Sequence, residues 1–225
     1  MEFLLDTSDL QAIQKYSTII PLSGVTTNPS IIKKGGKVDF FARMKQIKQM
    51  LGPERTFHIQ VVGTTTAEMV ADAQTIRQEI GADVYVKVPT TAAGLAAMQI
   101  LKADGFGITA TAIYTEFQGF LATAAGADYL APYYNRMVNM NINADQVIAD
   151  MAQQIKQCGA KTKILAASFH TVQQVNAALV HGAQAVTMGP EILDTGLGVS
   201  AISAAVNDFT KDWQSIYGNT TIATL

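Results

Sequence analysis

One lysine is set apart by its neighbours. The stretch Asp83–Val88 reads DVYVKV, so the two-residue period of a strand puts Val84, Val86 and Val88 on one face, Tyr85 and Lys87 on the other. A lysine in so apolar a strand is placed for burial. Burial disfavours the ammonium form and can bring its pKa from ~10.4 towards ~7, where much of the amine is free to attack a carbonyl and form a Schiff base. The other use of a strand lysine is to guard an exposed sheet edge, and that requires an edge.

The same alternation gathers further polar groups. Leu4 and Asp6 share a side, and so do Ala131 and Tyr133. His58, Gln60 and Val62 oppose Phe57, Ile59 and Val61; Thr109 and Thr111 oppose Ile108, Ala110 and Ala112. In Ile164–Phe169, Leu165, Ala167 and Phe169 oppose Ile164, Ala166 and Ser168. The polar members Asp6, Gln60, Lys87, Thr111, Tyr133 and Ser168 all fall near the C-terminal ends of their runs, with Asn28 and Arg136 just beyond strand ends. A purely structural origin would have to collect these groups at one rim by accident.

Their chemistry suits a Schiff-base lysine. Asp6 can move protons during formation and breakdown of the carbinolamine, fix a substrate hydroxyl, or cap the first helix. Gln60, Thr111 and Tyr133 can together hold a proton-shuttling water, or simply pack. Asn28 and Ser168 can bind hydroxyls, Asn28 being equally suited to cap a helix. Arg136 offers a forked, permanent cation for a phosphate, unless it is an ordinary surface arginine. No metal site is expected, because His58, His170 and His181 lack ligand spacing to a second His, Cys or carboxylate. Cys158 has no basic neighbour to activate it.

The elements that must position these groups are eight short apolar runs, each leading into a helical segment. The runs are Glu2–Asp6, Leu22–Thr26, Thr56–Val62, Asp83–Val88, Gly107–Ala112, Asp128–Tyr133, Lys163–Phe169 and Gln184–Met188. Capping boxes follow several of them: Ser8 with Gln11, Thr65 with Glu68, Thr115 with Gln118 and Thr171 with Gln174. Asn28-Pro29 is a further helix start, and Gly81, Gly105, Gly126, Gly159 and Gly182 mark helix ends. Strand–helix alternation predicts parallel βαβ units, and eight of them in 225 residues predict a (β/α)8 TIM barrel. An open doubly wound sheet is the alternative, but it would normally carry a Gly-rich turn after the first strand, and DTSD is not one. The expectation is a single barrel domain over 1–225 with residues 199–217 as a terminal helix. Phe209, Trp213 and Tyr217 share one face of that helix, suited to packing on the barrel or on a neighbouring subunit. Lys33–Lys37 (KKGGK) reads as an exposed turn.

Composition narrows the partners. With 48% apolar and 15% charged residues the chain is no disordered segment, and a net charge of −2 gives no bulk attraction to nucleic acid or anionic lipid. No run approaches the ~18 apolar residues of a membrane span, and MEFLLDTSDL is not expected to act as a signal peptide. A lone cysteine suits a reducing compartment, so a cytoplasmic protein is expected.

The longer motifs point further. LDTSD near the start, GVTTNPSII at Gly24–Ile32, VKVPTTAAGLAA at Val86–Ala97, APYYNR at Ala131–Arg136 and LAASFH at Leu165–His170 resemble the transaldolase family, nearly end to end. The likeness is to its small subfamily of fructose-6-phosphate aldolases. It implies a class I, metal-independent and cofactor-free aldolase that reversibly splits fructose 6-phosphate into dihydroxyacetone and glyceraldehyde 3-phosphate. The alternative within the family is a transaldolase, which passes the dihydroxyacetone unit to erythrose 4-phosphate. The resemblance implies Lys87 as the Schiff-base lysine, Asp6 assisting, and a water on Gln60, Thr111 and Tyr133. It further implies substrate contacts from Thr26, Asn28, Ser168, Arg136 and His170, with Arg136 and Ser168 at the phosphate. Larger transaldolases carry Glu at the place of Gln60 and typically Phe at that of Tyr133, so this pair resembles the aldolases. One departure stands out: the family usually has Lys or Arg where this chain has His170, and an imidazole is no permanent cation. Ring-like homo-oligomers, pentamers or decamers, are also implied.

Overall fold

The computed structural model describes all 225 residues. Strand β1 (Glu2–Asp6) leads into α1 (Leu10–Ile19), and β2 (Leu22–Thr26) into α2 (Pro29–Lys34) and α3 (Phe40–Leu51). Next come β3 (Thr56–Gln60) with α4 (Thr66–Ile80), β4 (Tyr85–Pro89) with α5 (Ala92–Ala103), and β5 (Gly107–Ile113) with α6 (Glu116–Ala124). Strand β6 (Tyr129–Pro132) precedes α7 (Tyr134–Asn139) and α8 (Ala144–Cys158); β7 (Lys163–Ala166) precedes α9 (Val172–Val180). Finally β8 (Ala185–Met188) leads to α10 (Pro190–Leu197) and α11 (Ser200–Tyr217). The strands pair in parallel in chain order and β8 closes on β1, giving the expected (β/α)8 barrel with its C-terminal helix. With the sheet closed there is no edge for Lys87 to guard.

Alternation along the strands separates two apolar layers. Phe57, Ile59, Val86, Val88, Ile108, Ala110, Leu130, Ile164 and Ala166 face the helices in the main core. Leu4, Tyr129, Leu165 and Ala185, with Tyr85 against them, fill the barrel interior below the rim. That floor also holds a fully buried histidine: His58 stacks on Tyr85 at 4.9 Å and meets the edge of Tyr129.

Local signals set the helix ends. Thr65 and Thr115 form complete capping boxes, and Asn28 Oδ1 accepts from Ile31 N–H with Pro29 in the first helical turn. Two expected boxes differ. The cap of α1 is Asp9, not Ser8, because the Asp9 carboxylate reaches Gln11 N–H at 2.9 Å. At α9, Thr171 caps but Gln174 turns to His170 N–H instead of completing the box. Gly159 closes α8 at φ +66, a left-handed conformation that L side chains resist. The KKGGK segment is only partly a turn, since Lys33 and Lys34 form the last turn of α2. No helix is long and apolar enough to cross a membrane.

Candidate active site

Lys87 stands on β4 with only 3% of its surface exposed, and its ammonium donates to the Thr27 carbonyl at 3.1 Å. Burial among the strands pushes its pKa below that of an ordinary lysine, and the nearby charge of Asp6 opposes the shift. Asp6 ends β1, and burial raises its carboxyl pKa against the opposing pull of Lys87 and of a hydrogen bond from Thr26. A desolvated amine and a desolvated carboxyl thus face one another electrostatically, the pairing needed to pass protons as a carbinolamine forms and collapses. The Thr26 hydroxyl donates to Asp6 Oδ1 at 2.5 Å and lies 2.7 Å from Thr187 Oγ1. Thr26 is itself fully buried, so its hydroxyl fixes the carboxylate from beneath.

His58 cannot share in this proton traffic. Thr56 Oγ1 donates to the Ser23 carbonyl, so it accepts from His58 Nε2–H at 3.0 Å; Nδ1 then accepts from Thr109 Oγ1–H at 2.8 Å. Burial, helped by the charge of Lys87, drives the imidazole pKa down to about 3, so it stays neutral.

The rim next to Lys87 carries the group of three expected residues. Gln60 is the register partner of Lys87, and its Oε1 is buried with no hydrogen-bond partner in the protein. Such an acceptor fits a donor brought by water or a substrate hydroxyl. Further round, the Tyr133 hydroxyl and Thr111 Oγ1 are 2.8 Å apart. Burial raises the Tyr133 pKa, only partly offset by Thr111 and Arg136, so the phenol keeps its proton at neutral pH. The Arg136 guanidinium lies 4.7 Å above the Tyr133 ring and donates to Tyr114 Oη at 3.3 Å.

Ser168 reaches the site by a route that alternation misses. Strand β7 ends at Ala166, and on a continued strand Ser168 would share the helix-facing side of Ile164 and Ala166. Instead its backbone turns left-handed, φ +62, and its carbonyl is held by Asn135 N–H at 2.9 Å. Ser168 and the exposed His170 consequently line a cleft of about 360 Å³ together with Asp6, Thr187, Lys34 and Glu191. Asn28 serves as cap through Oδ1 and keeps its amide N–H groups for other partners. A larger, more apolar cleft of about 530 Å³ opens between α2, α3 and α4, lined by Asn28 and Gln60 but not by Asp6; Lys87 lines neither cleft. Thr187, Lys34 and Glu191 were not singled out by sequence; only Thr187 had a signal, its alternation with the core residues Val186 and Met188 on β8. No three His, Cys, Asp or Glu side chains gather as a metal would require.

The sequence profile of the transaldolase/fructose-6-phosphate aldolase family matches residues 3–220. The chain belongs to that family. Among its relatives is a "Probable fructose-6-phosphate aldolase" of Streptococcus pneumoniae (strain ATCC 700669 / Spain 23F-1), 48% identical over 222 residues. That alignment covers 99% of this chain and all of the relative, so the family resemblance extends beyond the rim to the barrel and α11.

Proposed function

We propose that the chain is a class I aldolase that reversibly cleaves fructose 6-phosphate to dihydroxyacetone and glyceraldehyde 3-phosphate. The observation that carries this reading is the buried Lys87 amine, within electrostatic reach of the Asp6 carboxyl, at the C-terminal rim of a barrel of this family. The Lys87 amine adds to the C2 ketone, and Asp6 passes the protons that let the carbinolamine lose water and become an iminium. A water held by Gln60, Thr111 and Tyr133 takes the C4 hydroxyl proton as the C3–C4 bond breaks. Glyceraldehyde 3-phosphate leaves, and its electron pair stays behind as an enamine on Lys87. The same water returns a proton to C3, and hydrolysis of the imine frees dihydroxyacetone and the lysine. Asn28 and Ser168 hold substrate hydroxyls, and Arg136 with Ser168 receives the phosphate. No step calls for a metal or an organic cofactor.

Borohydride with dihydroxyacetone tests the central step. Reduction of the imine is expected to fix a stable adduct that mass spectrometry of peptides places on Lys87. An adduct on another lysine, or none, removes the mechanism.

The same reading extends to assembly and compartment. Helix α11 leaves Val206, Phe209, Ile216 and Tyr217 exposed, with Phe209 71% open, a larger apolar face than a lone surface helix usually shows. Within it the Trp213 ring lies 4.6 Å from that of Tyr217, and its indole N–H donates to the Thr220 carbonyl. We assign this face to copies of the same chain, in a ring-like homo-oligomer working in the cytoplasm. Light scattering is expected to give a multiple of the chain mass, and Phe209→Asp to lower it; a monomer by light scattering rules the assembly out.

A further inference from the structure

A cation stands where the sequence suggests only a turn. Lys34 occupies the last turn of α2, and its ordinary role there is to meet the carbonyl end of the helix dipole. Its position allows more. Ile31 and Lys34, three residues apart and so on one face of α2, both line the cleft that holds Asp6, Ser168 and His170. Asn28 and Pro29 pin the start of that helix, which fixes the direction in which the face points.

The charges around Lys34 leave it uncommitted. It makes no ion pair, whereas Lys15, Lys45, Lys48, Lys102 and Lys163 each do. Arg43, which lines the adjoining cleft with Lys34, is engaged with the Ser8 carbonyl at 3.0 Å. The acids facing the cleft are Asp6 and Glu191. Asp6 is held by Thr26, and the Glu191 carboxylate folds back into the space where a Cβ on Gly189 would stand. His170 faces the cleft as an imidazole, so Lys34 is the one permanent cation lining it. Arg136, on α7, already lies over Tyr133 and against Tyr114.

We infer that Lys34 is a further specificity-determining residue: from α2 it supplies a second positive charge, beside that of Arg136, that recognises the phosphate of a sugar-phosphate substrate near Ser168, where His170 offers no permanent cation. The inference rests on the aldolase reading above, in which Arg136 and Ser168 receive the phosphate, and adds a second cation to that contact. An ammonium is suited to the task as a mobile point charge that needs no fixed fork geometry.

Lys34→Met, which keeps the length of the stem, and Lys34→Arg are compared with the parent enzyme on two acceptors added to dihydroxyacetone, glyceraldehyde 3-phosphate and glyceraldehyde. In Lys34→Met the KM for glyceraldehyde 3-phosphate is expected to rise about tenfold, as for loss of one charge-assisted contact. The kcat should stay within about twofold, since uniform binding alone is lost. The KM for glyceraldehyde should not move, and Lys34→Arg should restore most of the loss. If both acceptors weaken equally, or neither does, Lys34 does not read phosphate. Should the parent enzyme itself neither join these substrates nor cleave fructose 6-phosphate, the aldolase reading falls and takes this inference with it.

Discussion

Lys87→Met is expected to lower fructose 6-phosphate cleavage on the order of 10⁴-fold or more, about 5 kcal/mol or more in barrier. The loss is that large because no other group can hold the electron pair left when the C3–C4 bond breaks. The pH dependence of adduct formation gives a finer check. Only the neutral amine attacks, so trapping speeds up as pH rises through the Lys87 pKa in the folded protein. Burial lowers that pKa while Asp6 opposes the change, so the rise should be centred below the ~10.4 of a free lysine. Asp6→Asn removes the opposing charge, and the sign follows: the ammonium loses its partner, the pKa falls further, and the rise moves to lower pH. A rise centred at the free-lysine value, or a shift upward in Asp6→Asn, contradicts the electrostatic pairing described here. Stopped-flow trapping with dihydroxyacetone and borohydride measures both.

The barrel was legible because its signals are local. A period of two along DVYVKV, a threonine three residues before Glu68 or Gln118, and a glycine where α8 must stop each depend on few neighbours. The site was legible to the same depth. Lys87, Gln60 and Thr111 lie on strands, so alternation alone tells which way they face. Where the chain leaves the strand the reading weakens. Ser168 was placed on the rim, but the cause is a left-handed residue after a strand that ends two residues earlier, and no pattern in LAASFH states that turn.

Two other residues show the same limit. Thr26 sits in a motif read for substrate contacts, and nothing in that motif says that packing sets its hydroxyl on the Asp6 carboxylate. Lys34 reads as loop charge because composition cannot tell which face of a short helix turns to a cleft. In both, the missing information is the docking of α2 and β2 against their neighbours. A polar residue's role is set by what it touches. Sequence gives the touching partners only when they lie a few residues away or on a strand of known register.

Tyr133→Phe carries the second large effect and separates cleavage from transfer. After the C3–C4 bond breaks, the enamine on Lys87 awaits either a proton or an aldehyde, and prompt protonation makes the enzyme an aldolase. The phenol is suited to that delivery. Burial keeps it protonated, Thr111 Oγ1 fixes it at 2.8 Å, and as both donor and acceptor it can orient a water and relay its proton. The substitution isolates the hydroxyl, because a phenyl ring keeps its place under Arg136 and its edge contact with Tyr114, 5.7 Å between centroids. Cleavage is expected to fall about 10²-fold, up to ~3 kcal/mol, with borohydride trapping on Lys87 preserved. Gln60→Glu should act on the same partition in the other direction. The orphaned Oε1 of Gln60 accepts without titrating, whereas a carboxyl at that buried position could keep the proton that the enamine needs. The enamine then survives long enough to meet an aldehyde, so the ratio of transfer to erythrose 4-phosphate over release of dihydroxyacetone should rise. A product assay with and without erythrose 4-phosphate reads both variants at once. If Tyr133→Phe cleaves at the parent rate, the proton comes from elsewhere, and the Gln60–Thr111–Tyr133 rim holds substrate without relaying protons.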